Sequence, residues 1–172
     1  ELLSELLGEL NASHTGGRYA PQVQNGDITA SLGLLYDETF NGDGVKVTEV
    51  LNGGPFVNAK TKIKKGVVIE KIDGEGIKED MDWNKLLNRK SGKNVLLSLY
   101  DPETKTRWDE TTRPITQQEE QGLLYDRWVK NNRKKVEELS GGKVAYIHVQ
   151  GMNDASYRRV FEDVLGKTIT DD

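Results

Sequence analysis

Leucines recur at helical spacing through the first ten residues, at Leu2, Leu3, Leu6, Leu7 and Leu10. This spacing predicts a helix from residue 1 to about residue 11 with one apolar face. Asn11 and the glycines at positions 16 and 17 are typical of a helix end, so Ser13 and His14 are expected in the loop that follows. We expect the leucine face to be buried, and a partner-binding face is the alternative.

From Ile28 onward, short β-favouring runs separated by turn residues replace the helical pattern. Residues 28–36 and 45–50 flank the turn-forming residues 41–44, and the alternating valines of the second run predict a β-hairpin. Further strands are predicted over 66–75, 94–100 and 105–113. Together these runs belong to one unit of roughly ninety residues.

Residues 80–90 predict a short amphipathic helix with Trp83, Leu86 and Leu87 on its apolar face. A longer helix is predicted from about Thr116 to Leu139, because Thr116 and Glu119 have the spacing of a capping box. Beyond it, residues 143–149 predict a strand and residues 154–165 a helix. A strand followed by a helix is typical of the beginning of an α/β domain.

The chain has 172 residues, a formal net charge of −4 and a pI of about 5.4, with both signs of charge interspersed. Nucleic acid and anionic membranes are therefore not expected as partners. No apolar run reaches the roughly 18 residues that a membrane-spanning helix needs. The acidic first residues differ from a signal peptide, and a chain that begins without methionine is expected to be a piece of a longer protein.

The sequence contains no cysteine and two histidines. The lack of cysteine excludes a disulfide framework and a thiolate nucleophile. Two separated histidines, His14 and His148, make a poor metal site, so no metal and no cofactor are expected. His148 lies between Ile147 and Val149 in a predicted strand, and a structural role is the favoured interpretation for it.

Residues 31 to about 114 resemble a PDZ domain of the circularly permuted bacterial type. The resemblance is carried by the Ser31-Leu32-Gly33-Leu34 loop, the strand and turn over 64–74, and the predicted helix 80–90. It implies an α+β fold, a PDZ-like β-barrel or sandwich with two helices, flanked by an N-terminal helix, a long C-terminal helix and an incomplete α/β segment. Val67 departs from the pattern, since protease PDZ domains usually have aspartate at this position.

In PDZ domains, backbone N–H groups of a hydrophobic-Gly-hydrophobic loop bind a peptide carboxylate, and the peptide adds as a strand between the next strand and the helix. The resemblance therefore implies that peptide substrates contact Leu32, Gly33, Leu34, Leu35, Trp83, Leu86 and Leu87. A closed groove that serves only as a scaffold is the alternative, in which Trp83 and Leu86 fill the core.

The flanks extend the resemblance over nearly the whole chain. A leucine-rich helix followed by Ser13-His14, a PDZ-like unit, the helix with residues 127–133 and the strand 142–149 are similar to the C-terminal half of tricorn protease and its bacterial relatives. These are serine peptidases of the tail-specific, carboxyl-terminal-processing superfamily. The implied domains are a helical segment over 1–25, a PDZ domain over 26–115, a connecting helix over 116–141 and the start of a crotonase-like catalytic domain over 142–172.

By this resemblance, His14 is the general base and Ser13 a second member of a Ser-His-Ser-Glu tetrad. An imidazole held by another hydrogen-bonding group accepts the proton of a serine hydroxyl and makes it nucleophilic. The nucleophile and the glutamate are expected in the catalytic domain beyond residue 172, so the chain alone is expected to be inactive. Without the family, His14 is read as a helix-capping cation or an ordinary surface residue.

The implied partners are a peptide or protein substrate and the remainder of the catalytic domain, with assembly into a homo-oligomer as a further expectation for the full-length protein. A non-catalytic PDZ module that captures peptide C-termini is the alternative function. Bacterial relatives of this type are often exported, which favours the periplasm or cell envelope over the cytoplasm.

Overall fold

The computed structural model describes residues 2–10, 26–57 and 60–167 of the chain. Within these ranges the helices are α1 (Leu2–Gly8), α2 (Gln117–Ser140), α3 (Asp154–Lys167) and a short 3₁₀ helix (Trp83–Leu87). The strands are β1 (Leu34–Tyr36), β2 (Val45–Val50), β3 (Val68–Ile72), β4 (Glu75–Gly76), β5 (Val95–Asp101) and β6 (Thr106–Thr112). The chain is therefore an α+β protein, as the sequence predicted.

The described strands form one open antiparallel sheet in the order β1-β2-β3-β5-β6, with the short β4 paired to β3. The predicted hairpin is present, since β1 pairs with β2 and places Leu34 opposite Val50. The longest pairing joins β5 to β6, from Val95 opposite Thr112 to Asp101 opposite Thr106. β1 and β6 are thus the two edges of the sheet.

The hydrophobic core lies against one face of this sheet. In β5, Val95, Leu97 and Leu99 are fully buried while Leu96 between them is 42% exposed, as the two-residue period of a strand requires. The remaining buried apolar side chains come from every part of the sheet and its connections, namely Ala30, Leu32, Leu34, Val47, Leu51, Phe56, Ile63, Val67, Val68, Ile69, Ile72, Ile77 and Leu87. Val67, the departure from the PDZ pattern, is therefore a core residue.

The predicted helix over 80–90 is shorter than expected and has 3₁₀ geometry, over Trp83–Leu87 only. Asp82 precedes it without forming a side-chain cap, and Asn88 after it is extended. Arg89 then takes a left-handed backbone with φ of +59°, which an α-helix cannot include. The acidic residues at 80 and 82 therefore do not begin a regular α-helix here.

The predicted strand over 143–149 is also absent, although α3 follows it as predicted. A strand is defined by hydrogen bonds to a neighbouring strand, and none of the described strands pairs with this segment. The β-favouring residues of this run alone therefore do not produce a strand at this place. The proposed domain boundaries stay predictions.

Helix α2 begins with the predicted capping box. The Thr116 hydroxyl accepts a hydrogen bond from the Glu119 N–H at 3.1 Å, and the Glu119 carboxylate accepts one from the Thr116 N–H at 2.7 Å. At the other end, Gly141 takes the left-handed conformation that closes many helices. Among the described helices, none is long and apolar enough to cross a membrane.

Candidate functional site

A groove of about 800 Å³ runs between strand β1 and the 3₁₀ helix. Most of its surface is apolar, and the apolar side chains that line it are Leu34, Leu35, Tyr36, Phe40, Val45, Ile77, Met81, Trp83 and Leu124. Tyr36 and Trp83 meet edge to face across the groove, with their ring centroids 4.9 Å apart. This contact fixes the distance between the strand wall and the helix wall.

β1 forms one wall of the groove and is also an edge strand. It pairs with β2 alone, and no described strand pairs with its other side. An edge strand presents backbone N–H and C=O groups that an extended peptide can pair with. The groove thus combines an apolar surface with a backbone edge.

The loop before β1 is held in place by Gly33. This glycine has φ of +65°, and a Cβ atom at this position would lie 2.9 Å from Cδ of Pro55. Its N–H donates to the Ser31 hydroxyl at 2.9 Å, and its carbonyl accepts from the Leu51 N–H at 3.0 Å. Both backbone groups of Gly33 therefore have partners within the protein.

A glutamate from helix α2 lines the groove beside this loop. The Ser31 hydroxyl donates to Oε1 of Glu120 at 2.5 Å. Glu120 lines the groove and also an adjoining cavity of about 90 Å³, which Ser31 and Leu32 line as well. Burial and then the charge of Glu120 raise the pKa of Tyr36 above its ordinary value, so this tyrosine stays protonated.

The rim of the groove carries mostly negative charge. Asp37, Glu38, Glu79 and Glu120 line it, against the single cation Lys78. Lys78 forms an ion pair with Asp43 at 2.5 Å, and Asp37 pairs with Lys46 at 3.1 Å. A hydrogen bond from Thr39 and then one from Lys46 lower the pKa of Asp37, so this carboxylate remains charged at neutral pH.

Comparison with known proteins shows what this chain is similar to. No protein-family model matches the chain. A tricorn protease homologue of Streptomyces coelicolor, homolog 2, is 26% identical over 175 residues, which cover 95% of this chain and 15% of the relative. The tricorn protease of Thermoplasma volcanium is 23% identical over 161 residues, which cover 88% of this chain and 15% of the relative.

The crystal structure of the tricorn protease matches with a TM-score of 0.64 and 22% identity, over 78% of this chain and 13% of that one. The chain is similar to the tricorn proteases. The similarity covers up to 95% of this chain in sequence, and the solved structure shares its fold. The chain spans about 15% of the length of these curated relatives.

The predicted peptide-binding residues of the tricorn-like chain fall into three groups. Leu34, Leu35 and Trp83 line the groove. Leu32 and Leu87 are buried to 1% exposure and line the adjoining small cavity instead. The other two belong to neither cavity, since Leu86 packs against the core and Gly33 faces Pro55.

The predicted catalytic pair, Ser13 and His14, lies outside the described residues, so its roles stay predictions. The sequence did not point to Glu120. This residue meets Ser31 across 89 positions of the chain, and no local motif marks such a contact. Only the capping box nearby predicted that a helix begins at this place.

His148 belongs to a packed aromatic cluster of the tricorn-like chain. Its Nε2 is hydrogen-bonded to the Tyr125 hydroxyl, and its Nδ1 lies 3.2 Å from the Tyr146 hydroxyl. The Trp128 ring meets the imidazole edge to face at 5.1 Å. With both nitrogens and one face engaged, the histidine joins α2 to the following segment. Within the described ranges, no group of three or more His, Asp or Glu side chains is placed to hold a metal ion.

Proposed function

We propose that the chain is the substrate-handling segment of a tricorn-like serine peptidase, in which a PDZ-like unit holds an extended stretch of the peptide substrate. The observation that supports this proposal is the edge strand β1 beside an apolar groove of about 800 Å³. The glycine loop that leads into β1 and the 3₁₀ helix opposite it also support a PDZ-like unit.

The bound segment pairs with the open side of β1 and becomes an additional strand. Backbone hydrogen bonds supply affinity without regard to sequence, and alternate side chains point into the groove. The apolar residues opposite, such as Phe40 and Met81, favour apolar side chains there. Strand addition also holds the substrate in an extended conformation. A peptide bond is presented to a catalytic serine in this conformation. Capture of a free C-terminus, which the family resemblance implies, is a separate prediction that pairing along β1 does not require.

Ser13 and His14 are proposed to complete the catalytic machinery of the peptidase. His14 would accept the proton of a serine hydroxyl from the catalytic domain as that oxygen attacks the peptide carbonyl, and would then donate it to the leaving amine. Ser13 would orient the imidazole. Peptide hydrolysis by the full-length peptidase should be lost in His14→Ala. The control Ser140→Ala changes a serine outside the tetrad and should retain hydrolysis. Turnover retained in His14→Ala excludes this role.

The peptide-binding proposal is tested on this chain with apolar extended peptides and NMR. Binding should shift the amide signals of Leu34, Leu35 and Tyr36, and Phe40→Ala should weaken it because one groove wall loses a ring. Leu96→Ala removes an exposed side chain on β5, outside the groove, and should leave binding unchanged. If no peptide moves the β1 amides, the groove is not a peptide site.

The second candidate is a non-catalytic peptide-binding module. It is favoured by one observation, namely that the described residues lining the groove all lie between Leu34 and Leu124. The two candidates differ in the His14→Ala experiment, since only the peptidase proposal requires that histidine. Binding to the β1 edge is common to both.

A further inference from the structure

We infer that Glu120 makes the part of the groove next to Ser31 a site for a positively charged group. The peptides held best would then carry a lysine or arginine side chain beside their apolar residues, and a free C-terminal carboxylate would be disfavoured there. This inference rests on the proposed peptide binding and specifies the chemistry of the peptide. It assigns the selection between peptides of different charge to Glu120, a residue of α2 outside the sheet.

The first support is the position of the Glu120 carboxylate. It lies at the junction of the groove and the small cavity, beside the loop where the resemblance implies a bound carboxylate. One oxygen accepts the hydrogen bond from the Ser31 hydroxyl at 2.5 Å. A carboxylate has about four acceptor positions, so the Ser31 bond leaves capacity for an ammonium or guanidinium group from a ligand.

The glycine N–H of the loop is already engaged in a hydrogen bond and is not free to bind an anion. The Gly33 N–H, which the PDZ pattern would direct at a carboxylate, donates instead to the Ser31 hydroxyl at 2.9 Å. The same hydroxyl donates to Glu120, so Ser31 relays the loop donor to a protein carboxylate. A peptide carboxylate would have to break this chain of hydrogen bonds and then lie next to a like charge.

Glu120 is held at this place by the anchoring of α2 at two points. Ser31 and Ile115 exchange two backbone hydrogen bonds, each of 2.8 Å, just before the helix begins. About two helical turns beyond Glu120, Arg127 binds Glu49 of β2 through two hydrogen bonds of 2.7 and 2.6 Å. The carboxylate is therefore a fixed part of the groove wall.

The rim supplies charge complementarity along the rest of the groove. Glu38 and Glu79 add negative charge, whereas Asp37 is already paired with Lys46 and Lys78 with Asp43. A cationic side chain therefore meets an attractive potential along the groove, whereas an acidic one is repelled. Apolar floor and acidic rim together fit an extended basic-apolar peptide.

The experiment uses matched N-acetylated apolar peptides that differ at one internal position, which is lysine, norleucine or glutamate. Each peptide is made with a C-terminal carboxylate and with a C-terminal amide, and affinity is measured by calorimetry while the β1 amides are followed by NMR. We expect lysine to bind better than norleucine by about two- to five-fold, and glutamate to bind worse. Amidation should leave affinity unchanged or raise it.

The variant Glu120→Gln keeps the shape of the side chain and its bond to Ser31 while removing the charge. It should abolish most of the preference for lysine over norleucine, and the preference of the unaltered chain should shrink at high salt. Glu137→Gln makes the same change in net charge at an exposed position near the other end of α2 and should keep the preference. The β1 amides should still shift with the norleucine peptide in both variants.

The outcomes separate this inference from the proposed function. Affinity that falls on amidation, or a lysine preference that survives in Glu120→Gln, overturns the inference while peptide binding stands. Failure of every peptide, the lysine peptide included, to shift the β1 amides overturns the proposed function and the inference together.

Discussion

The guanidinium group of Arg127 and the carboxylate of Glu49 form a two-point contact, from Nε to Oε1 at 2.7 Å and from Nη2 to Oε2 at 2.6 Å. The pair joins the middle of α2 to β2, which are 78 positions apart in the chain. Paired geometry of this kind is stronger and more directional than a single ion pair. It therefore ties the middle of α2 to β2.

The pair should contribute modestly to stability and do so in a pH-dependent way. A double-mutant cycle of Glu49→Gln and Arg127→Gln is expected to give a coupling of about 0.5–1 kcal/mol, because both side chains are about 40% exposed and solvent screens them. The hydrogen bond from Arg127 lowers the pKa of Glu49 below 4.5. Its stabilisation is therefore complete above pH 4.5 and is lost as the pH falls through the lowered value.

Urea unfolding of the four proteins at several pH values measures this coupling. Glu75→Gln, which changes an exposed carboxylate on β4, serves as the control and should show no coupling to Arg127→Gln. A coupling that does not change between neutral and acidic pH would contradict the assignment of the pair.

Two neighbouring leucines of β5 should differ sharply in what their truncation costs. Leu97 is fully buried, so Leu97→Ala leaves a cavity and should reduce the free energy of unfolding by about 2–5 kcal/mol. Leu96 is 42% exposed on the opposite face, and Leu96→Ala should cost about 1 kcal/mol or less. Urea unfolding followed by tryptophan fluorescence measures the loss of stability in each variant. Equal losses would mean that Leu97 and Leu96 do not lie on opposite faces of the sheet.

The capping box at the start of α2 should control the order of its first turn. Thr116→Ala removes the acceptor of the Glu119 N–H and should weaken the first turn by about 1 kcal/mol. Thr116→Ser keeps a hydroxyl and should behave like the unaltered chain. Amide hydrogen exchange at residues 117–120 provides the measurement, with faster exchange expected in the alanine variant alone. Because Glu120 follows directly, the same variant should also reduce discrimination between basic and neutral peptides.

Gly33 should resist substitution for two separate reasons. Alanine at this position must adopt φ of +65° and place its methyl group 2.9 Å from Pro55, which together should cost about 1–3 kcal/mol. Gly76 has an ordinary φ and no atom within 4 Å of the place that a methyl group would take, so Gly76→Ala should change stability by about 0.5 kcal/mol or less. Thermal unfolding of the two variants measures both changes in stability. A Gly33→Ala variant that is as stable as the unaltered chain would show that the loop can rearrange.

Local signals predicted the elements whose structure depends on neighbouring residues. The capping residues Thr116 and Glu119 located the start of α2, and the alternating valines of 45–50 predicted a strand that pairs across the turn. The segment 143–149 is also rich in β-favouring residues, but no described strand pairs with it and it is not a strand. The site depended on distant contacts in the same way, since Leu34 and Trp83 were predicted and Glu120 was not.

The two edges of the sheet differ in how they receive another chain. On β6, Arg107 and Asp109 are exposed, and the Glu110 carboxylate already accepts hydrogen bonds from the Thr61 hydroxyl and the Lys62 N–H, both at 2.8 Å. Charged edges of this kind discourage pairing. β1 instead borders the apolar groove. Under the proposed function, the sheet would take up a guest strand at β1 alone, because the charged β6 edge does not offer a second place for a strand to add.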